Sequence, residues 1–356
     1  MKVKVNNHLV GEDAPVYFIA DIAANHDGSL ERAKELITLA KEAGADAAKF
    51  QHHNVKHYVS KKGFDSMSQK LSHQSKWGKS VFEVYEDAQV PTDWTPELKA
   101  HCDAVGIDFF STPYDLNMID HLDQYVPAYK IGSGDIDWAD MLKKVSSMGK
   151  PVFLATGAAN MSDVELAVED ILSINKELVL MQCNTNYTGN LENFKYINLR
   201  VLETYRQKFP GVILGLSDHT PGHATVLGAV ALGAKAVEKH FTDDCSRSGP
   251  DHPFSMDPKT WREMVDRCRE LELALGSFDK TIQENEMETV IVQRRCLRAG
   301  RSIVKGEMIQ ASDLEFQRPA TEGSWGPRMK SLLVGKKAKV DIEVESTLTD
   351  ENVELV

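Results

Sequence analysis

Leu214-Gly215-Leu216-Ser217-Asp218-His219-Thr220, a segment of small residues, and then Ala236-Val237-Glu238-Lys239-His240 make up the stretch that decides the fold. Two short apolar runs each end in ionisable side chains, and each cluster supplies a histidine. Two imidazoles delivered from the ends of adjacent buried strands can hold a divalent cation. Either histidine taken alone reads more simply as an isolated loop residue. The metal reading gains weight because other apolar runs in the chain end in reactive side chains too.

Working outward, Val16-Tyr17-Phe18-Ile19-Ala20 is too continuous for a strand with one wet face and suits a parallel strand buried on both sides. Ser29 can cap a helix whose inner face is Ala33, Leu36, Ile37 and Ala40, and Gly44 stops it. Further strands are expected at Ala47–Phe50, Asp108–Ser111, Ala128–Ile131, Pro151–Ala155, Leu178–Met181, Val212–Leu214 and Ala236–Glu238. A capping box from Ser162 to Glu165 opens one helix. Asp257-Pro258 opens another, with Trp261, Met264, Val265 and Cys268 on its apolar face. Eight strands alternating with helices predict a TIM (β/α)8 barrel. A doubly wound open sheet is the alternative, but no GxGxxG turn follows the first strand.

The barrel domain is expected over residues 1–276, beginning with a hairpin of Val3-Lys4-Val5 and His8-Leu9-Val10 around Asn6-Asn7. Residues 52–95 read as a long insertion on the active face, with His52, His53, His57 and His73 as solvated loop residues. Residues 277–290 are polar and acidic, as in a linker. Residues 291–356 read as a small β-rich domain, with short strands and turns around Cys296–Ala299, Ser302–Glu307 and Leu332–Ala338.

Composition excludes several classes. The 356 residues are 42% hydrophobic, ample for a folded core. A net charge of -12 argues against a general nucleic-acid or membrane-surface binder. No apolar run approaches the ~20 residues that span a bilayer, and the N-terminus lacks a signal-peptide core. Five cysteines without a CxxC pair suit the reducing cytoplasm and argue against a disulfide scaffold.

In a barrel the strand C-termini converge on one mouth. Asp21, Lys49, Gln51, Ser111, Thr112, Lys130, Ser133, Thr156, Thr185, Tyr187, Ser217, His219, Glu238 and His240 are expected to gather there. Two lysines, several hydroxyls and the Gly132-Ser133-Gly134 backbone make an anion pocket, since lysine supplies a point charge and glycine lets N–H groups approach an oxyanion. Lysines that merely snorkel to solvent are the plainer reading of either one alone. His219 and His240 with Asp21, Glu238 and Asp251 add a divalent site and acid–base groups. The residues themselves give metal-assisted chemistry on a small anion and stop there.

The set as a whole resembles the sialic acid synthase family, over nearly the whole chain. The motifs are Asn25-His26-Asp27-Gly28, Lys49-Phe50-Gln51, Ser111-Thr112-Pro113-Tyr114, Tyr129-Lys130-Ile131-Gly132-Ser133-Gly134, Gly215-Leu216-Ser217-Asp218-His219-Thr220, Glu238-Lys239-His240-Phe241-Thr242 and Gly249-Pro250-Asp251. The tail, with Val304-Lys305-Gly306-Glu307 and Gln317-Arg318-Pro319, is similar to that family's antifreeze-like (SAF) domain. The resemblance implies condensation of phosphoenolpyruvate with an N-acetylated amino-sugar aldehyde, such as N-acetylmannosamine, to give a nonulosonic acid and phosphate. It implies a divalent ion, manganese first and magnesium or cobalt otherwise, on His219 and His240, polarising the aldehyde and activating water. Lys49, Gln51, Thr112, Lys130, Ser133, Thr185 and Ser217 would bind phosphoenolpyruvate. Asp21, Tyr187, Asp251 and Arg318 would bind the sugar, with Asp21 and Glu238 among the catalytic groups. The tail would swap across a homodimer, bringing Arg318 to the partner's site.

Two positions depart from the family pattern. Asp21 stands where Glu is usual, and Thr185 where Asn is usual unless Asn184 or Asn186 takes over that role; the 52–95 insertion also lies where substrate is recognised. Alternatives remain: a legionaminic- or pseudaminic-type acid synthase, another phosphoenolpyruvate aldose condensation such as the octulosonate-phosphate synthases, a Schiff-base aldolase using Lys130 or Lys239, or a carbohydrate-binding scaffold.

Overall fold

The computed structural model describes residues 1–67, 74 and 77–354. The chain divides into two compact units, Met1–Gly276 and Ser277–Val356. The first opens with an antiparallel hairpin, β1 (Lys2–Val5) and β2 (His8–Gly11). Eight parallel strands follow: β3 (Tyr17–Asp21), β4 (Ala47–His52), β5 (Asp108–Pro113), β6 (Tyr129–Ile131), β7 (Val152–Ala155), β8 (Leu178–Cys183), β9 (Ile213–Asp218) and β10 (Ala236–His240). They close into a barrel in sequence order, with β10 pairing β3.

The continuous apolar runs are explained by burial on both faces. Phe18, Ala20, Phe50, Leu154, Leu180 and Val237 pack outward in the layer shared with the helices. Their alternate neighbours Tyr17, Ile19, Ala47, Phe153, Val179 and Ala236 fill the bore. Each large apolar side chain buried in this way contributes roughly 1.5–3 kcal/mol.

Val3, Val5 and Val10 belong to the bore cluster, so the hairpin caps the end where the strands begin. Polar contacts fix it there. Asp108, the first residue of β5, accepts from Asn6 Nδ2 and the Tyr17 hydroxyl, both at 2.6 Å, and meets His8 Nδ1 at 2.9 Å. The open end is therefore the one where the strands finish.

The helices obey ordinary capping physics. Ser29 caps the helix Leu30–Glu42, which buries Ala33, Leu36, Ile37 and Ala40. Asp257 caps Pro258–Leu275, which buries Trp261, Met264, Val265 and Cys268. One expectation shifts by two residues. The capping box of the helix Met161–Leu172 is Asn160 with Asp163, and Ser162 sits inside its first turn.

Several strands run further at their C-terminal ends than apolarity alone predicts. Gln51, Thr112, Ser217, Asp218 and His240 are strand residues, not loop residues. Their orientation is thus set by ladder register, which is stiffer than a loop.

In the second unit, a short turn at Glu284–Glu286 runs into the helix Met287–Gln293, so the polar stretch is not uniformly irregular. β11 (Cys296–Ala299) pairs antiparallel with β12 (Leu314–Gln317). Isolated bridges such as Ile303 with Ile342 and Met308 with Lys337 complete it around Leu297, Ile309, Leu333 and Leu348. The segment expected to begin a strand at Leu332 instead lies in the short helix Lys330–Leu333.

Candidate active site

The two-residue period of β10 decides what its end can do. Glu238 and His240 point into a cavity of about 350 Å³ at the barrel mouth. Lys239, between them, points the other way. Its ammonium is buried against the Asp218 carboxylate and donates to the Thr220 carbonyl at 2.6 Å. Lys239 is therefore a structural cation, and the Schiff-base role considered for it fails on position.

Asp21, Lys49, Gln51, Lys130, Ser133, Thr185, Tyr187, Ser217, His219, Glu238, His240 and Asp251 all line this cavity. Thr112 stands just behind it, its hydroxyl accepting from Lys49 Nζ at 3.3 Å. Ser111 and Thr156, also expected at the mouth, are not in its lining. Ser111 bonds the His52 ring, and Thr156 bonds the Met181 carbonyl and the Tyr205 hydroxyl. Arg318 is exposed in the second unit, just past β12.

The charges in the cavity are paired across strands. Lys49 Nζ lies 2.7 Å from Asp21 and 3.9 Å from Glu238, and Lys130 Nζ lies 3.3 Å from Glu238. Burial works against the charged form of Lys49, but Asp21 and Glu238 outweigh it and raise its pKa. The ammonium thus stays protonated although almost no water reaches it. The Ser217 hydroxyl donates to Glu238 at 3.2 Å, and Gln51 Nε2 donates to Asp21 at 3.1 Å. Backbone close approach completes this wall. A Cβ on Gly157 would sit 2.5 Å from Thr185 Cγ2, whereas the glycine lets its N–H reach Ser133 Oγ at 2.9 Å.

Opposite stand the imidazoles, with ring centroids 5.3 Å apart. The Asn184 carbonyl engages His219 Nδ1 at 3.0 Å, which fixes the ring; burial works against a charge on it, but the bonded Cys183 thiol beside it outweighs this and raises the His219 pKa. Among the described residues, His240 Nδ1 is buried without a hydrogen-bond partner, as is Glu238 Oε2. Burial, helped by His219 and Lys49, holds His240 well below its ordinary pKa, hence neutral. Asp21 and Asp251 lie 3.6 and 3.9 Å from its two nitrogens. Among the described residues, no group of three His, Cys, Asp or Glu converges closely enough to cage an ion. The neutral His240 ring nonetheless fits an open ion site completed by water or substrate, and His219 would join it once a cation displaced its proton.

Burial raises the Asp251 carboxyl to about 6, against a hydrogen bond from Ala24 N–H that favours its ionised form. It is therefore a proton-exchanging group near neutrality.

The insertion, together with Tyr114 just past β5, supplies a cavity side that the strand-end reading did not include. His53, Tyr58, Tyr85 and Tyr114 line one side of the cavity, with Tyr58 and Tyr114 centroids 4.6 Å apart and Tyr58 and Tyr85 5.4 Å apart. The density of aromatics in a βα loop was the available signal. Two of the histidines expected to be solvated are buried. His52 is held between Ser111 Oγ at 2.7 Å and Thr95 Oγ1 at 2.9 Å, and burial pushes its pKa down to about 3. His53 bonds the Tyr85 carbonyl at 2.9 Å. His57 is exposed and paired with Asp115, while His73 lies outside the described residues.

Comparison with known proteins places these features. The NeuB family model matches residues 36–280, and the SAF domain model matches residues 294–354. The chain belongs to the NeuB family. It is 33% identical to the N,N'-diacetyllegionaminic acid synthase of Legionella pneumophila, over 97% of this chain and 96% of that protein. It is 32% identical to human N-acetylneuraminate-9-phosphate synthase, over 97% and 94% respectively. The crystal structure of N-acetylneuraminic acid (sialic acid) synthetase from Leptospira borgpetersenii superposes with a TM-score of 0.72 at 28% identity, covering 82% of this chain and 95% of that one.

Proposed function

We propose that this protein condenses phosphoenolpyruvate with the open-chain aldehyde of an N-acetylated amino sugar, giving a nonulosonic acid and inorganic phosphate. The observation that carries the reading is the pair of buried ammonium groups, Lys49 and Lys130, bridged by Glu238. Asp21 and Glu238 offset these two cations in the free site, and each ammonium keeps further N–H donors for the oxygens of a bound phosphate or carboxylate. Ser133 and Ser217 hydroxyls stand beside them to hold phosphate and carboxylate oxygens, with Gln51, Thr112 and Thr185 adjoining.

The bond-making step joins the donor's methylene carbon to the aldehyde carbon. Water then adds at the donor's second carbon, and phosphate leaves by C–O cleavage. A divalent ion bound by His219 and His240 would supply Lewis acidity for the aldehyde and for water. Asp21, 2.7 Å from Lys49 and 3.6 Å from His240, stands between the two halves of the site and passes protons with Glu238. Asp251 and Tyr187 orient the sugar. Asp21 in place of Glu withdraws that carboxylate by one methylene from the acceptor.

The acceptor belongs to the N-acetylmannosamine or the di-N-acetylated 6-deoxyhexose class, the latter corresponding to legionaminic- or pseudaminic-type products. The aromatic side of the cavity gives apolar acetamido and methyl groups a surface to pack on. The working assembly is a domain-swapped homodimer in the cytoplasm, the compartment in which five free cysteines persist. Among the described residues, no helix is long and apolar enough to cross a membrane.

The test is phosphate release from phosphoenolpyruvate across a panel of both acceptor classes, with manganese, magnesium, cobalt or a chelator. Release is expected only when an amino-sugar aldehyde and a divalent ion are both present. Silence over the whole panel refutes the reading. Arg318→Ala is expected to raise the acceptor KM about tenfold or more, with the KM for phosphoenolpyruvate unchanged. Loss of phosphoenolpyruvate affinity instead would remove Arg318 from the sugar side.

A further inference from the structure

Asn25, Asp27 and His252 bear polar chemistry that the condensation does not use, and all three lie where β3 meets β10. Asp27 takes a left-handed backbone, φ 52°, and presents its carboxylate to two donor residues and to the Arg32 guanidinium, whose Nε–H is itself given to the Asn25 carbonyl at 2.9 Å. His252 Nε2 lies 3.0 Å from Oδ1, Arg247 Nη2 donates to Oδ2 at 2.7 Å, and Arg32 Nε lies 3.1 Å from the same oxygen. An ionised carboxylate only accepts, so His252 donates from Nε2. Its Nδ1 pairs with the Thr242 hydroxyl at 2.7 Å. The ring is fully buried, and a Cβ on Gly249 would come within 2.6 Å of it. Arg32 also reaches across to Asp243, donating from Nη1 at 2.8 Å.

A second set of bonds runs from this clasp to the cavity. Asn25 Nδ2 donates to the Phe241 carbonyl and to Ser255 Oγ, both at 2.9 Å. Ser255 Oγ in turn donates to the Asp251 carbonyl at 2.7 Å. Ala24 N–H donates to the Asp251 carboxylate at 3.1 Å. The loop after β3 and the loop after β10 thus grip one another on both sides of Asp251.

We propose that Asp27, through His252, Arg247 and Arg32, is a positioning residue that holds Asp251 at the acceptor side of the cavity. The link to the acceptor rests on the function proposed above; the clasp itself does not. Asp27 touches no reacting atom. It sets the separation of the first and last βα loops, and that separation decides whether Ala24 N–H meets Asp251. An aspartate at a left-handed position is well suited to the task, since the short side chain tolerates that backbone and turns straight back to accept.

The test uses the full-length protein. Asp27→Asn keeps the left-handed backbone and one acceptor oxygen but removes the charge that gathers two arginines. The acceptor KM is expected to rise about tenfold, with the KM for phosphoenolpyruvate unchanged. In an Asp251→Asn background the same substitution should add little, because both act through one carboxylate. Arg247→Gln, which removes a single half-exposed donor, should move the acceptor KM in the same direction by less. Independently of turnover, peptide-resolved deuterium exchange should speed up in Asp27→Asn at residues 22–28 and 249–256 and nowhere else. Unchanged exchange in those segments, or a full effect of Asp27→Asn in the Asp251→Asn background, overturns the proposal. A wild-type protein silent toward every acceptor overturns the proposed reaction, while exchange still decides the clasp.

Discussion

Lys130→Met should lower kcat/KM for phosphoenolpyruvate by about 10²–10³ while leaving the thermal midpoint close to wild type. The asymmetry follows from what remains after the charge is removed. Glu238 keeps a second cation, Lys49, at 3.9 Å, so its carboxylate is not stranded. The bore retains the methionine's volume, and no cavity opens. What disappears is one of the two point charges that, in the proposed reaction, meet the donor's phosphate and carboxylate. Steady-state phosphate release as a function of phosphoenolpyruvate concentration measures the effect. A Lys130→Met enzyme with wild-type kcat/KM would show that the buried ammonium serves the fold alone.

The opposite outcome is expected one strand position from the site. Lys239→Met should destabilise the protein by about 3–5 kcal/mol, seen as a large drop in the urea midpoint. Asp218 and Lys239 are almost wholly buried, and the ammonium lies 2.5 Å from the carboxylate. Burial acts against the charge on Asp218, and Lys239 with the Thr220 and Thr225 hydroxyls holds its pKa down. Removing the cation leaves a buried anion held by the two hydroxyls alone, with no positive charge against it. The double substitution Lys239→Met with Asp218→Asn should recover much of the loss, because neither charge is then unpaired. A single variant that unfolds like wild type would mean that the pair contributes nothing net.

These two lysines show what could be read from the sequence and what could not. The barrel was legible because strands buried on both faces must be continuously apolar, and eight such runs leave little choice of architecture. The list of strand-end residues was legible for the same reason. Which of them face the bore was not read, although the period of two in Glu238-Lys239-His240 carries that information once the strand is known to extend to His240. Ser111 and Thr156 were misplaced by the same omission. His52 could not be placed at all without tertiary contacts, since Thr95 and Ser111, which hold it, lie 43 and 59 residues away. The insertion was legible as an aromatic-rich loop on the active face, but which of its rings line the cavity, and that Tyr114 after β5 joins them, depends on tertiary contacts.

The seam between β10 and β3 joins the earliest and latest barrel strands to be synthesised. Asp21 and His240 face each other across it, and the Asp27 clasp lies just beyond. Contacts of such long sequence separation form only after much chain entropy has been lost. A nascent chain with seven strands built has the lysines but neither imidazole-bearing seam nor clasp. The pocket is consequently a gauge of completed topology, because its ionisable side chains come into register only when the final strand is seated.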